Sequence, residues 1–376
     1  MRKTIYLDYA ATTPLDPGVA QKMSEYLTIN GTFGNPASNH VYGKKAKEAV
    51  EAARSQIASV INATANEIVF TSGATEATNL ALKGAAQLYR QRGKHIITLK
   101  TEHSATLDTC QWLEKNGYQV TYLSPEPNGV LDLEKFKNAL RDDTILVSIL
   151  HVNNETGVIQ DISKIAEITV NRRILLHVDA AQTIGKTRID LQNTPINLLS
   201  MCAHKTYGPK GIGALYVRSK PKIRVAAQIH GGGHEKGMRS GTLATHQIVG
   251  MGEAFRVSAD EFDKNNIHIK HCRDQFLNLL SQKMTFEING ANTVPHILNI
   301  RFQDQDIANA ILKSTALAVS AGSACHSKGI EPSHVLRAMG LSFYDAHCSL
   351  RFSFGKFTTD TEIKDAVDLI IPSRTN

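Results

Sequence analysis

No run of about 18 apolar residues occurs anywhere in the 376-residue sequence, so no helix is expected to span a membrane. The opening stretch MRKTIYLDYAATTP has two early positive charges but meets Asp8 at once. It has no apolar segment of the kind a secretory signal needs, and none is expected here. Cysteine is scarce: five residues, an odd number, with no CxxC pair. That argues against a disulfide framework and for reduced thiols in a cytoplasmic protein. There is no internal repeat and no low-complexity segment, and a hydrophobic content of 42% with 20% charged residues excludes a disordered chain. The formal charge of +7 permits an anionic partner. Its densest basic cluster, RSKPKIR at 218–224, reads as solvated surface, and direct nucleic-acid binding is not expected.

A chain of this length exceeds the usual single-domain size, which suggests two domains. In KKAKEAVEAARSQIASVI (44–61), Ala46, Ala49, Val50, Ala53, Ile57, Val60 and Ile61 fall on one helical face. Short β-rich runs follow: EIVFTS, HIITLK, QVTYLS, TILVSILHV, ILLHVDA and GALYVR. Helical stretches near 76–92, 105–116, 132–140 and 161–171 separate most of them. This alternation predicts an α/β fold with a mainly parallel sheet covered by helices on both faces. Ligands of such sheets sit beyond the carboxyl ends of the strands. After about 258 the pattern changes to a smaller α+β unit, with a helix near 259–282, the segments TFEING and HILNIRF, helices near 304–313 and 333–339, the strand HCSLRFSF and a last helix near 359–371. The expected division is a large domain over 15–258 and a small domain made of 1–14 with 259–376.

Three segments could build a cofactor site. FTSGATEATNLAL (70–82) runs from a strand into a helix start, where unpaired N–H groups attract an anion such as phosphate. The alternative is an ordinary capped helix, with Thr71 or Ser72 as cap and Glu76 completing a capping box. ILLHVDAAQTIGK puts Asp179 at the end of a strongly apolar strand, where a carboxylate needs a partner. That partner is either a local structural cation or a ligand's protonated ring nitrogen. In LLSMCAHKTYGPKGIGALYV, Lys205 follows a strand and precedes a tight turn. A lysine held beside buried strand ends tends toward the neutral amine that forms Schiff bases, and His204 can donate to a phosphate. Together these are the protein's share of pyridoxal-phosphate chemistry. His230 and His234 in HGGGHEKG are spaced i, i+4, but the three glycines between them argue against a helical zinc site.

The motifs YLDYAATTP, GNPAS, FTSGATEATN, TEHSA, HVNNETG, HVDAAQ, HKTYGPKG, GGGHEKGMRSGT, GSAC and LRFSFG occur in this order over nearly the whole chain. With them the sequence closely resembles the cysteine desulfurases of the iron–sulfur-cluster-assembly and nitrogen-fixation type. These belong to the class V aminotransferase group of fold-type I pyridoxal-phosphate (PLP) enzymes. The resemblance implies that Lys205 binds pyridoxal 5'-phosphate, that Asp179 partners the pyridine nitrogen and that Gln182 bonds the ring hydroxyl. His103 corresponds to the histidine stacked on the ring. Ala74, Thr75 and His204 correspond to phosphate contacts, as does Cys202, which stands where relatives usually have serine. Thr242 matches a phosphate contact supplied by the neighbouring subunit, which implies a homodimer. Asn154 and Arg351 resemble the residues that hold the substrate carboxylate.

Cys325, in AVSAGSACHSKGI, is by resemblance the sulfur acceptor. The implied cycle has L-cysteine displace Lys205 from the cofactor, after which the freed amine removes the α-proton. The Cys325 thiolate then attacks the substrate sulfur, leaving a persulfide and releasing alanine. In the family this cysteine can also act as the ligand of a shared iron–sulfur cluster on a scaffold protein. His326 beside it could favour the thiolate. The sequence ends at IIPSRTN, where housekeeping relatives continue through a segment that helps dock the scaffold. Other acceptors, such as a sulfur carrier for tRNA thiolation, are therefore also expected. Two competing functions are a different fold-type I activity (a transaminase or selenocysteine lyase) and a catalytically quiet docking protein. A transaminase has no need of Cys325, and a quiet protein has no need of Lys205, Asp179, Gln182 and His103 together.

Overall fold

The computed structural model describes residues 4–321 and 332–370. In chain order the strands are β1 (Ile5–Tyr6), β2 (Ile68–Thr71), β3 (His95–Leu99), β4 (Gln119–Leu123), β5 (Thr144–Leu150) and β6 (Leu175–Asp179). They continue with β7 (Leu198–Cys202), β8 (Gly213–Val217), β9 (Phe286–Ile288), β10 (Ile297–Phe302), β11 (Leu317–Ala318) and β12 (Ser349–Ser353). Seven of them form one sheet in the order β2-β8-β7-β6-β5-β3-β4. The pairs β4–β3, β3–β5, β5–β6 and β6–β7 are parallel, whereas β8 runs antiparallel to both β7 and β2. The expected mainly parallel sheet is present, and its one reversal comes from the tight turn YGPKGIG, which sends β8 straight back along β7.

Strands β5, β6 and β7 are buried along their whole length, as apolar runs covered on both faces must be. One face packs on helices Val41–Val60 and Thr245–Asp260, the other on Ala74–Tyr89 and Ser104–Lys115. The first of these helices buries Ala46, Val50, Ala53 and Ile57, as its spacing predicts. Helix Thr245–Asp260 is absent from the sequence expectation because Gly250 and Gly252 look like breakers. Their role is steric: a Cβ on Gly252 would lie 2.8 Å from the Ala53 Cα, so the glycine lets the two helices cross closely.

The later chain forms an antiparallel sheet, β12-β10-β9, packed on helices Phe262–Ser281 and Asp360–Ile370. Phe276 joins this core, its ring 5.0 Å from that of Phe352 and 5.6 Å from that of Phe354. The N-terminal strand belongs to this part of the molecule. β1 pairs parallel with β11, and Asp8 bridges Ser353. A few residues later the chain crosses to the large sheet, where the Thr13 N–H and hydroxyl both donate to the His204 carbonyl at 2.9 Å. Among the described residues no helix is long and apolar enough to cross a membrane.

Candidate active site

The carboxyl ends of β2, β3, β5, β6 and β7 all open on one side of the large sheet, and a cavity of about 560 Å³ lies there. That size is in the range of ~300–1,000 Å³ typical of small-molecule sites. A larger cleft of about 850 Å³, around Ser59, His151 and Arg188, is lined by no lysine and by none of the candidate site residues named above.

The helix after β2 starts at Ala74, and its N-cap is Gly73, which gives no side-chain cap. The expected cap at Thr71 or Ser72 is thus not formed: the Thr71 hydroxyl donates to the Gly73 carbonyl instead. Because the first intrahelical bond is made by the Ala77 N–H, the N–H groups of Ala74, Thr75 and Glu76 are left for a ligand. A Cβ on Gly73 would meet nothing within 4 Å, so the helix start faces open space. Glu76 accepts from the Ser72 N–H and pairs with Arg239, both at 2.8 Å. Burial acts to raise its pKa, but Arg239 and Ser72 outweigh it and hold the carboxyl below its ordinary range.

His103 caps helix Ser104–Lys115, its Nδ1 accepting from the Ala105 N–H at 3.1 Å. Burial pushes its pKa down, helped by Lys205 and opposed by Asp179. The ring is neutral, and with Nδ1 an acceptor its proton sits on Nε2. Behind it lies Glu102, which the sequence reading missed. Glu102 is fully buried, its Oε1 accepts from the Leu150 N–H at 2.8 Å, and burial holds its pKa far above the carboxylate range.

Asp179 ends β6, buried at 7% exposure, and accepts from the Ala181 N–H at 2.9 Å. Among the described residues it makes no ion pair, which removes the local structural cation from consideration. Gln182 donates to the Ala10 carbonyl at 2.8 Å and accepts from Lys186 Nζ at 3.3 Å. Burial and the nearby Lys205 push Lys186 down to about 7. After β7, Cys202 is buried with its pKa raised by burial, a neutral thiol. His204 sits 3.2 Å from the Thr12 hydroxyl and is pushed down to about 4 by burial and the neighbouring lysines. Lys205 lines the cavity and has no ion-pair partner among the described residues.

On the opposite wall, Arg351 of β12 is 2% exposed. It donates from Nη1 to the Asn154 carbonyl at 2.8 Å and from Nη2 to Asp8 at 2.7 Å, while its Nε has no partner among the described residues. Asn154 is held in place by its neighbour: the Asn153 carboxamide accepts from the N–H groups of Glu155 and Thr156, both at 2.9 Å. The cavity therefore gathers Ala74, Thr75, His103, Asn154, Asp179, Gln182, Cys202, His204, Lys205 and Arg351. Thr242 is exposed and does not line it, and Cys325 and His326 lie outside the described residues. Asp8, Glu102 and Lys186 were readable only as motif neighbours, in YLDYAATTP, TEHSA and HVDAAQTIGK.

A mainly parallel sheet with an uncapped helix start, a buried carboxylate and a lysine without an ion pair among the described residues at its carboxyl edge defines a class of cofactor enzyme. The chain belongs to the Aminotransferase class-V family, whose sequence model matches residues 5–365. Within that family it lies among the cysteine desulfurases. It is 57% identical over 373 residues to the cysteine desulfurase IscS of Vibrio cholerae serotype O1 (strain M66-2), covering 98% of this chain and 92% of that one. The protein of the same name from Klebsiella pneumoniae subsp. pneumoniae is 56% identical over the same shares. Among solved structures, a NifS-like protein superposes with a TM-score of 0.90 at 33% identity, covering 98% of both chains. SspA in complex with cysteine gives a TM-score of 0.86 at 38% identity, covering 95% of this chain and 100% of that one.

Enzymes of this family depend on pyridoxal 5'-phosphate, and the residues present fit that group. The uncapped helix start suits a phosphate. Asp179, without an ion pair among the described residues, suits a protonated pyridine nitrogen. Lys205, without a competing carboxylate among the described residues, suits a carbonyl carbon.

Proposed function

We propose that this protein converts L-cysteine to L-alanine and holds the released sulfur as a persulfide on Cys325 for transfer to an acceptor protein. The observation that carries the reading is the convergence of Lys205, Asp179 and Arg351, far apart in sequence, on one cavity. The N–H groups of Ala74 and Thr75, with His204, would hold the cofactor phosphate. Asp179 would keep the ring nitrogen protonated, Gln182 would bond the ring hydroxyl and His103 would cover the ring. Bound there, pyridoxal phosphate supplies an electron sink for charge developing at the substrate α-carbon. Asn154 and Arg351 orient the substrate carboxylate, and Lys205 takes the α-proton. Neutral His103 has a donor at Nε2 rather than a positive charge, so it adds no cation to compete with the ring nitrogen for Asp179.

Cys325 receives the substrate sulfur as a thiolate, and none of the described cysteines is suited to do so in its place. Cys110, Cys202, Cys272 and Cys348 are all buried, with burial raising their pKa. The small domain, 1–14 with 259–376, would bring Arg351 to a cofactor held by the large domain, 15–258. A homodimer is supported by the exposed apolar residues Leu27, Ile29, Phe33, Val41 and Tyr42, and by Thr242, which is exposed and has no place in its own chain's cavity. The free described cysteines favour the cytoplasm, and the acceptor is an iron–sulfur scaffold or a sulfur carrier. Incubation of the holoenzyme with L-cysteine, followed by mass spectrometry, should find one added sulfur on Cys325 together with free alanine. Alanine formed equally well by Cys325→Ser would sink the desulfurase reading in favour of another fold-type I activity.

A further inference from the structure

Arg351 carries five N–H donors in a rigid plane, and which of them face a ligand depends on how the plane is turned. Two fixed acceptors turn it here: the Asn154 carbonyl on Nη1 at 2.8 Å and the Asp8 carboxylate on Nη2 at 2.7 Å. Nε–H is left buried and unpartnered among the described residues, on a side chain that lines the cavity. Such a donor is costly unless something arrives to accept from it.

Asp8 is itself held firmly. Its carbonyl accepts from the Tyr6 hydroxyl and the Ala11 N–H, both at 3.0 Å. Its backbone bridges Ser353, two residues beyond Arg351 on β12, and the Ser353 hydroxyl accepts from the Ala10 N–H at 2.9 Å. Residues 10–12 of the N-terminal segment line the cofactor cavity, whereas Asp8 stands behind Arg351 and does not line it.

We propose that Asp8 is a positioning residue: it fixes the rotation of the Arg351 guanidinium so that its Nε edge meets the substrate α-carboxylate, and it thereby selects substrates that carry one. The proposal rests on the reading of the cavity as an amino-acid site. Asp8 works through its acceptor oxygen, so asparagine at this position preserves most of the effect and alanine abolishes it.

The test is titration of the holoenzyme with L-alanine and with ethylamine, which differ by the carboxylate alone, following the visible spectrum of the cofactor. In Asp8→Ala, L-alanine should bind about tenfold more weakly while ethylamine binding stays within about twofold. Asp8→Asn should recover L-alanine binding to within about threefold of wild type. With L-cysteine, Asp8→Ala should raise KM far more than it lowers kcat. Equal weakening of both ligands would show a general structural effect and overturn the proposal. So would tighter L-alanine binding in both variants, because Asp8 would then be a competing carboxylate rather than a guide. A failure of the desulfurase reading shows up separately, as wild-type protein that binds L-alanine but does not turn over L-cysteine.

Discussion

His177 offers a quantitative test of how the site-bearing strand is held. It lies on β6 two residues before Asp179, fully buried, with Nδ1 at 2.9 Å from the Ser148 hydroxyl and Nε2 at 2.8 Å from the Ser200 hydroxyl. Burial, only partly offset by Asp179, pushes its pKa down to about 4. An unfolded histidine titrates near ~6.5, so between these values the unfolded chain binds a proton that the folded chain refuses. The stabilisation from keeping His177 neutral is therefore present above about pH 6.5 and is lost as the pH falls toward the folded value. At ~1.4 kcal/mol per pH unit, a drop to about pH 4.5 removes roughly 2.7 kcal/mol. Unfolding entropy of ~2.1 cal/mol/K per residue over 376 residues converts this to about 3 °C in Tm. Replacing His177 with Gln removes the titration while keeping a donor and an acceptor between the two serines. Thermal melts of both holoenzymes from pH 7 to 4.5 should show the wild type losing about 3 °C more than the variant. His151 and His204, pushed down to about 4 as well, contribute equally to both profiles. Parallel curves would refute the reasoning.

Lys205→Ala should abolish the absorption band near ~400 nm and the formation of alanine, both read on the same sample; a retained band would place the cofactor elsewhere. Cys202→Ser replaces a neutral, weakly donating thiol with a hydroxyl; a gain of ~1 kcal/mol would tighten cofactor binding about fivefold in titrations of apoenzyme. No change there would mean that backbone donors alone serve that position. Glu235→Ala removes the buried partner of Arg54, whose Nη1 and Nη2 bond Glu235 at 2.7 and 2.8 Å, and leaves it only the half-exposed Glu51 and the Ile68 carbonyl. Urea unfolding should show a loss of ~3–5 kcal/mol, and a loss under ~1 kcal/mol would contradict the pairing.

Strand and helix periods were legible because they are local. Each buried run of the large sheet, from EIVFTS to GALYVR, announces itself by composition, and the residue after it by position. Helix Thr245–Asp260 was not, because a glycine required by a helix crossing looks, in one dimension, the same as a glycine that ends a helix. The cap at Gly73 was hidden for a similar reason: Ser72 and Thr71 are good caps, and only the packed strand end turns them away. Glu102 and Asp8 looked like ordinary motif filler. Nothing local tells a carboxyl whose pKa is raised by burial from an exposed one.

The order of elements, the chemistry available at each strand end and the family are consequences of sequence alone, since each depends on residue type and spacing along the chain. The arrangement of charges is not. Asp179 is left without a cation among the described residues, Lys186 leans on Gln182, and Arg351 is turned by Asp8 across 343 positions. Those relations exist only once the chain has closed on itself, because an ion's energy is set by what lies within a few ångströms of it and by how much water has been excluded.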